Sequence, residues 1–219
     1  MVASASCKRE RTLATILLTA RSVIAQKGLE AANIDDFMAA AGMARGTFYN
    51  YFTDRESLLK AVLADIQRYV REQVDDKIPD NLTPEATVAC MLYGFLRFSL
   101  CCPKTGRALA YLCTGNDWLT QNPTEEQVFP RADTALQTLL GDTPFSLGLL
   151  YLEGSINLLL RRLQEGQIDI GEASQVIALV LRGLNTSPAR IRKAIVIAEA
   201  FSSELAEKAQ STKVQPTEL

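Results

Sequence analysis

The sequence predicts an all-α fold. Apolar residues recur at three- and four-residue steps almost throughout, no stretch of four or more residues alternates as a strand would, and Gly (12) and Pro (8) are scarce in 219 residues. Prolines fall where helices would begin, at Pro84, Pro103, Pro144 and Pro188, the first-turn position where a missing N–H costs least. The chain is long enough to bury a sizeable core. Its 47% apolar and 22% charged residues are proportions of a globular chain, not of a disordered one.

The first helix is read from the stripe Leu13, Ile16, Leu17, Ala20, Val23 and Ile24, closed by Lys27 and Gly28. Asn33, with Asp36 three residues on, starts a second over about 34–41. Gly42 supplies the left-handed residue of a tight turn. A short third helix follows at about 44–50. Thr53 with Glu56 reads as a capping box for a fourth, carrying Leu58, Leu59, Val62, Leu63, Ile66 and Val70 towards Asp75. A polar segment with two prolines, 75–84, marks a boundary. Beyond it the pattern gives helices at roughly 84–101, 103–115, 123–140, 144–164, 172–184 and 188–209, then a polar tail over 210–219. The organisation expected is a headpiece over 1–53 and a helical body over 54–209, with the fourth helix, 54–75, linking them.

Composition narrows the function. There is no histidine, so imidazole catalysis and His-containing metal sites are excluded, and no carboxylate cluster or phosphate loop stands in for them. No catalytic residues, metal or cofactor are expected. The five cysteines form no CxxC pair and read as reduced, mostly buried small hydrophobes. No apolar run is long enough to span a membrane, and the first residues lack an apolar core before their charges, so a cytoplasmic protein is expected. Net charge is −2, but residues 1–74 carry ten Lys/Arg against eight Asp/Glu, so a nucleic-acid contact belongs in the N-terminal third.

A pair of helices joined by a tight glycine turn is the helix-turn-helix arrangement. Phe37, Met38, Ala41 and Met43 would cover the inside of the turn, with Phe48 and Phe52 plugging the third helix onto its neighbours. That leaves Arg45, Gly46, Thr47, Tyr49 and Asn50 outward, short or planar hydrogen-bonding groups suited to a major groove, with Arg45 favoured for a phosphate over a base edge. Arg55 and Lys60 suit phosphates.

The run Gly28-Leu29-Glu30, Ile34-Asp35-Asp36-Phe37, Ala41-Gly42-Met43-Ala44-Arg45-Gly46-Thr47-Phe48-Tyr49-Asn50-Tyr51-Phe52 and Arg55-Glu56-Ser57-Leu58-Leu59 resembles the DNA-binding headpiece of the TetR family of bacterial transcriptional regulators. The resemblance covers about residues 10–60. It implies an all-helical homodimer that reads a palindromic double-stranded operator, with a C-terminal domain for dimerisation and usually an inducer. By position, Thr47, Tyr49 and Asn50 match the family's groove and backbone contacts, and Arg55 its usual lysine. Two residues depart from the pattern. Met38 stands where a small alanine is usual, and Ala44 where a capping Ser or Thr is usual, a loss of about 1 kcal/mol.

In the body, segment 144–164 is apolar nearly all round and 188–209 carries a broad stripe. Paired with their symmetry mates they would form a four-helix interface through Leu149, Leu152, Ile156 and Leu160, with Ile191, Ile195, Ala198, Phe201 and Leu205. Phe95, Phe98, Ser99, Cys102, Tyr111, Asn116, Trp118 and Phe145, with Glu153 and Asn157 four apart on one face, are the candidate lining of an effector cavity. A hydrophobic or aromatic small-molecule effector that releases a repressor is the reading these residues favour. A constitutive dimeric DNA binder without effector, and a redox sensor built on Cys101-Cys102, are the alternatives.

Overall fold

The computed structural model describes residues 2–114 and 128–211. These residues are helical, with no strand among them. The helices are α1 (Val2–Lys27), α2 (Ile34–Ala40), α3 (Arg45–Phe48), α4 (Arg55–Gln73), α5 (Pro84–Cys101), α6 (Pro103–Thr114), α7 (Pro130–Leu140), α8 (Phe145–Gln164), α9 (Ile170–Gly183) and α10 (Pro188–Ser211), with a 3-10 turn at Asp75–Lys77.

Local chemistry sets the boundaries. Asn33 and Asp36 form a reciprocal capping box at the start of α2, with bonds of 3.0 and 3.1 Å. The cap of α4 lies one residue later than expected. Asp54, not Thr53, accepts from the Ser57 N–H at 2.7 Å, and Ser57 rather than Glu56 reaches back. A carboxylate outcompetes a hydroxyl for an orphan N–H. Ala44 caps α3 without a side-chain bond, as its methyl requires. A third box, Asp169 with Glu172, begins α9 two residues before the sequence estimate. Helix α1 starts well before Leu13, because the polar residues 7–12 lie on exposed or half-exposed turns that need no apolar stripe. The helix expected over 123–140 begins at Pro130, with Phe129 at its cap and proline in its first turn; residues 123–127 lie outside the described residues.

The headpiece core is Ile16, Leu17, Ala20, Val23 and Ile24 of α1 against Phe37 and Met38 of α2, Phe48, Phe52, and Leu58, Leu59 and Val62 of α4. Met38 is 1% exposed, so the thioether fills the helix crossing rather than prising it open. At the turn, Gly42 sits at φ +65°, where a Cβ would be strained. In the body α5 is the central rod, buried almost along its whole length. A Cβ on Gly94 would stand 2.4 Å from Val74 Cγ1, so glycine allows α5 to lie directly against the end of α4. Glu85, 3% exposed, is held by Arg190 of α10 through two bonds of 2.8 and 2.7 Å. Asp75, fully buried in the 3-10 turn, accepts from the Arg131 and Ala132 N–H groups at 3.1 and 3.0 Å and so caps α7 across the body. Arg21 of α1 and Asp65 of α4 form a buried ion pair joining headpiece to linker helix.

The body differs from expectation in two places. Helix α8 is not buried all round: Leu147, Leu150, Tyr151 and Leu158 are exposed on one stripe. Three of the expected interface residues, Leu160, Ile191 and Ala198, are instead buried within the protomer. Helix α10 packs its stripe against α5, which is apolar enough to need covering there.

Candidate nucleic-acid interface

The two faces of α3 are chemically opposite. Phe48 is fully buried and Phe52 8% exposed, their rings 5.6 Å apart, which anchors the helix inward. Single turns continue past Phe48, with Tyr51 N–H and Phe52 N–H bonded to Phe48 O, so the sequence estimate of 44–50 overlaps a four-residue helix and a wound tail. Outward lie Arg45, Gly46, Tyr49 and Asn50, all exposed, and Thr47, half-exposed. Nothing approaches within 4 Å of where a Gly46 side chain would project, so the surface there is open. Tyr49 is 54% exposed and rests the edge of its ring on Phe48 at 5.3 Å. Tyr51 is half-buried beneath the Arg9 guanidinium, 5.7 Å from its centroid.

The basic residues are arranged unequally. Arg45 Nη1 donates to Asp35 Oδ2 at 2.7 Å, and both side chains are largely exposed. Hydrogen bonding to Tyr49, then the Asp35 charge, holds the guanidinium above its ordinary pKa. Arg55, expected at phosphates, is turned inward: its Nε donates to Ala32 O at 2.9 Å and one Nη to Leu29 O, so it ties down the turn between α1 and α2. Lys60 pairs with Glu56 at 2.9 Å on the exposed side of α4. Asp35 was not singled out from the sequence. Its only signal there is an acid in the first turn of α2, ten residues before Arg45.

The expected effector-lining residues are not gathered into one described cavity. Phe98 packs on Tyr69 at 5.6 Å, Ser99 Oγ bonds Leu96 O, and Tyr111 is 41% exposed beside Gly28. Phe95, Cys102, Phe145, Glu153 and Asn157 are half-buried, and burial pushes the Glu153 carboxyl up. Asn116 and Trp118 lie outside the described residues. An open groove of about 530 Å³ lies instead between α8 and α9, lined by Leu150, Tyr151, Leu158, Arg162, Ile168 and Val176 among others. The thiols run against the redox reading. Cys101 and Cys102 are unbonded, and burial raises the Cys102 pKa, the opposite of what a reactive thiolate needs.

A three-helix headpiece with an aromatic-anchored third helix, set on a helical body, is the build of the helix-turn-helix class. Residues 16–62 match the family of bacterial regulatory proteins called tetR. Over 63 residues the chain is 36% identical to YvdT of Bacillus subtilis strain 168, an uncharacterized HTH-type transcriptional regulator. That match spans 29% of this chain and about a third of the relative, 32%. Among solved structures, RolR in complex with resorcinol is 25% identical with a TM-score of 0.61, over 87% of this chain and 95% of that one. A TetR family regulator from Marinobacter aquaeolei VT8 shares the fold at a TM-score of 0.59 and 18% identity, over 90% and 97% of the two chains. The N-terminal quarter of the chain thus resembles the DNA-binding region of the tetR family, and the described fold is the one these solved regulators share.

Proposed function

We propose that the protein is a sequence-specific DNA-binding repressor, working as a homodimer on a palindromic operator and released by a small hydrophobic or aromatic effector. The observation that carries the DNA-binding part is the split of α3: Phe48 and Phe52 inward, Arg45, Gly46, Thr47, Tyr49 and Asn50 outward over open space. These outward groups are the groove contacts of the proposal, with Lys60 at a phosphate. Residues 1–53 are the reading unit and 54–209 the body.

Two-fold reading requires two headpieces about 34–36 Å apart. Support for the dimer comes from the exposed stripe Leu147, Leu150, Tyr151 and Leu158 of α8 with Leu179 of α9, spaced three, four and seven residues apart along α8. Leu149, Leu152 and Ile156 flank it, half-buried. A contiguous apolar face of this kind is costly in water and calls for a partner. The same stripe borders the α8–α9 groove, so a second copy would fill it.

The effector part is supported by the likeness to RolR, whose structure holds resorcinol, and by the half-buried Glu153 within an apolar helix. A phenolic ligand offers an apolar ring and hydroxyl donors to such a carboxyl. The test is fluorescence anisotropy of the purified protein on the DNA upstream of its own gene, with and without resorcinol-like phenols. Saturable binding that a competing random duplex does not displace, and that a phenol weakens, is expected. Equal binding to both duplexes defeats the proposal; selective binding indifferent to every phenol defeats its effector part.

A further inference from the structure

Arg45 is the first residue of α3, and the start of a recognition helix is the part that reaches base edges. It is not a free cation. Asp35, from the first turn of α2, takes its Nη1 at 2.7 Å, and Tyr49 stands one turn on along the same exposed face. The three side chains lie in the open, 57% exposed at Arg45, 63% at Asp35 and 54% at Tyr49.

That arrangement is a poor phosphate clamp. Asp35 brings a carboxylate to the face turned to a polyanion and cancels the charge of Arg45, so the pair adds nothing to counterion release. Nor is Asp35 required to start α2, because Asn33 and Asp36 already fill the capping box. An ion pair this exposed adds little to stability. What the contact does is fix a long, flexible side chain. A guanidinium has five N–H donors, and holding one edge fixes where the others point. Guanine offers two acceptors, O6 and N7, spaced for such a fork, and it is the commonest partner of arginine in the major groove.

We infer that Asp35 and Arg45 form one base-reading unit: Asp35 positions the guanidinium, and the free edge of Arg45 donates two hydrogen bonds to a guanine in each half-site. The inference rests on the DNA-binding reading above and adds a specificity determinant to it. Asp35 is a positioning residue; Arg45 makes the contact.

The experiment uses the full chain. Wild type selects its preferred duplex from a random pool, and wild type, Arg45→Ala and Asp35→Asn are then titrated against that duplex and its single-base-pair variants at several salt concentrations. Wild type is expected to discriminate against loss of one symmetrically repeated G·C pair by roughly tenfold or more. Arg45→Ala loses that preference and keeps the others. Asp35→Asn weakens the same preference several-fold and tightens binding to no duplex. Thermal melts that match wild type exclude a folding defect. The inference is overturned if Asp35→Asn tightens binding to every duplex alike while Arg45→Ala weakens it alike with a shallower salt dependence, which is how a phosphate contact behaves. It is also overturned if Asp35→Asn reproduces the wild-type preference at that pair. Wild type selecting no motif would overturn the regulator reading first and this inference with it.

Discussion

The pair joining α1 to α4 gives a sharp test of how the headpiece is held. Arg21 is buried and Asp65 largely so, with side chains 6% and 16% exposed. Truncating Asp65 to alanine leaves a guanidinium almost wholly out of water, with its Nε already lacking a partner. Removing one member of a buried pair costs about 3–5 kcal/mol. Asp65 is not fully enclosed, and it also takes a bond from the exposed Arg68 at 2.5 Å, so a smaller cost than that range, about 2–4 kcal/mol, is expected. Replacing both members together, as in Arg21→Met with Asp65→Leu, removes the stranded charge. It should cost about 1 kcal/mol or less, because apolar side chains of like volume fill the same space. Urea denaturation followed by circular dichroism on wild type, Arg21→Met, Asp65→Leu and the double variant closes the cycle, with Asp65→Ala measured beside them. If the double variant is as unstable as Asp65→Ala, or if Asp65→Ala costs less than about 1 kcal/mol, the pair is not a buried bolt and the reasoning fails.

Three further expectations follow from other parts of the molecule. Phe48→Ala should lose about 3–5 kcal/mol and lower the melting temperature, whereas Tyr49→Ala, with its ring mainly in solvent, should change stability by about 1 kcal/mol or less; thermal melts that rank them the other way would invert the two faces of α3. Asp133 is buried beside Asp75 and its carboxyl is pushed up to about 6. The unfolded chain therefore releases this proton at lower pH than the native one, so stability should fall as pH rises from about 4 to 6. Asp133→Asn, whose amide oxygen still accepts from Phe129 N–H, should remove that slope and raise stability at pH 7 by on the order of 1–3 kcal/mol, read from denaturation at each pH. Leu150→Glu with Leu158→Glu should turn a dimer into monomers in analytical ultracentrifugation without lowering the melting temperature of the protomer's own core; an unchanged sedimentation coefficient would mean that this stripe is not the dimer face.

Much of the architecture is legible because it is local. The stripe in α1, the Asn33–Asp36 box, the left-handed Gly42 and the aromatic plug of α3 each depend on residues within a few positions of one another. The candidate DNA face was legible for the same reason: with Phe48 and Phe52 inward, helical geometry leaves Arg45, Tyr49 and Asn50 nowhere to go but out. What escaped depends on contacts between distant segments. Arg55 looks free in sequence but is drawn to the carbonyls of Leu29 and Ala32, 26 and 23 residues away. Asp35 gains meaning only once the turn folds it back on Arg45. In the body, periodicity shows that a helix has an apolar stripe but not which neighbour covers it. So the sequence pattern cannot tell that α5 takes much of the α10 stripe, nor that the exposed stripe of α8 runs through Leu150 and Leu158 with Leu149 beside it and Leu160 buried.

The decisive measurement is the operator affinity of the Thr47→Ala, Tyr49→Ala double variant beside wild type, by fluorescence anisotropy at matched salt. The account predicts a native melting curve and an affinity at least tenfold weaker on the selected duplex, approaching that for random DNA. A folded double variant that binds the selected duplex as tightly as wild type would show that the outward face of α3 does not read DNA.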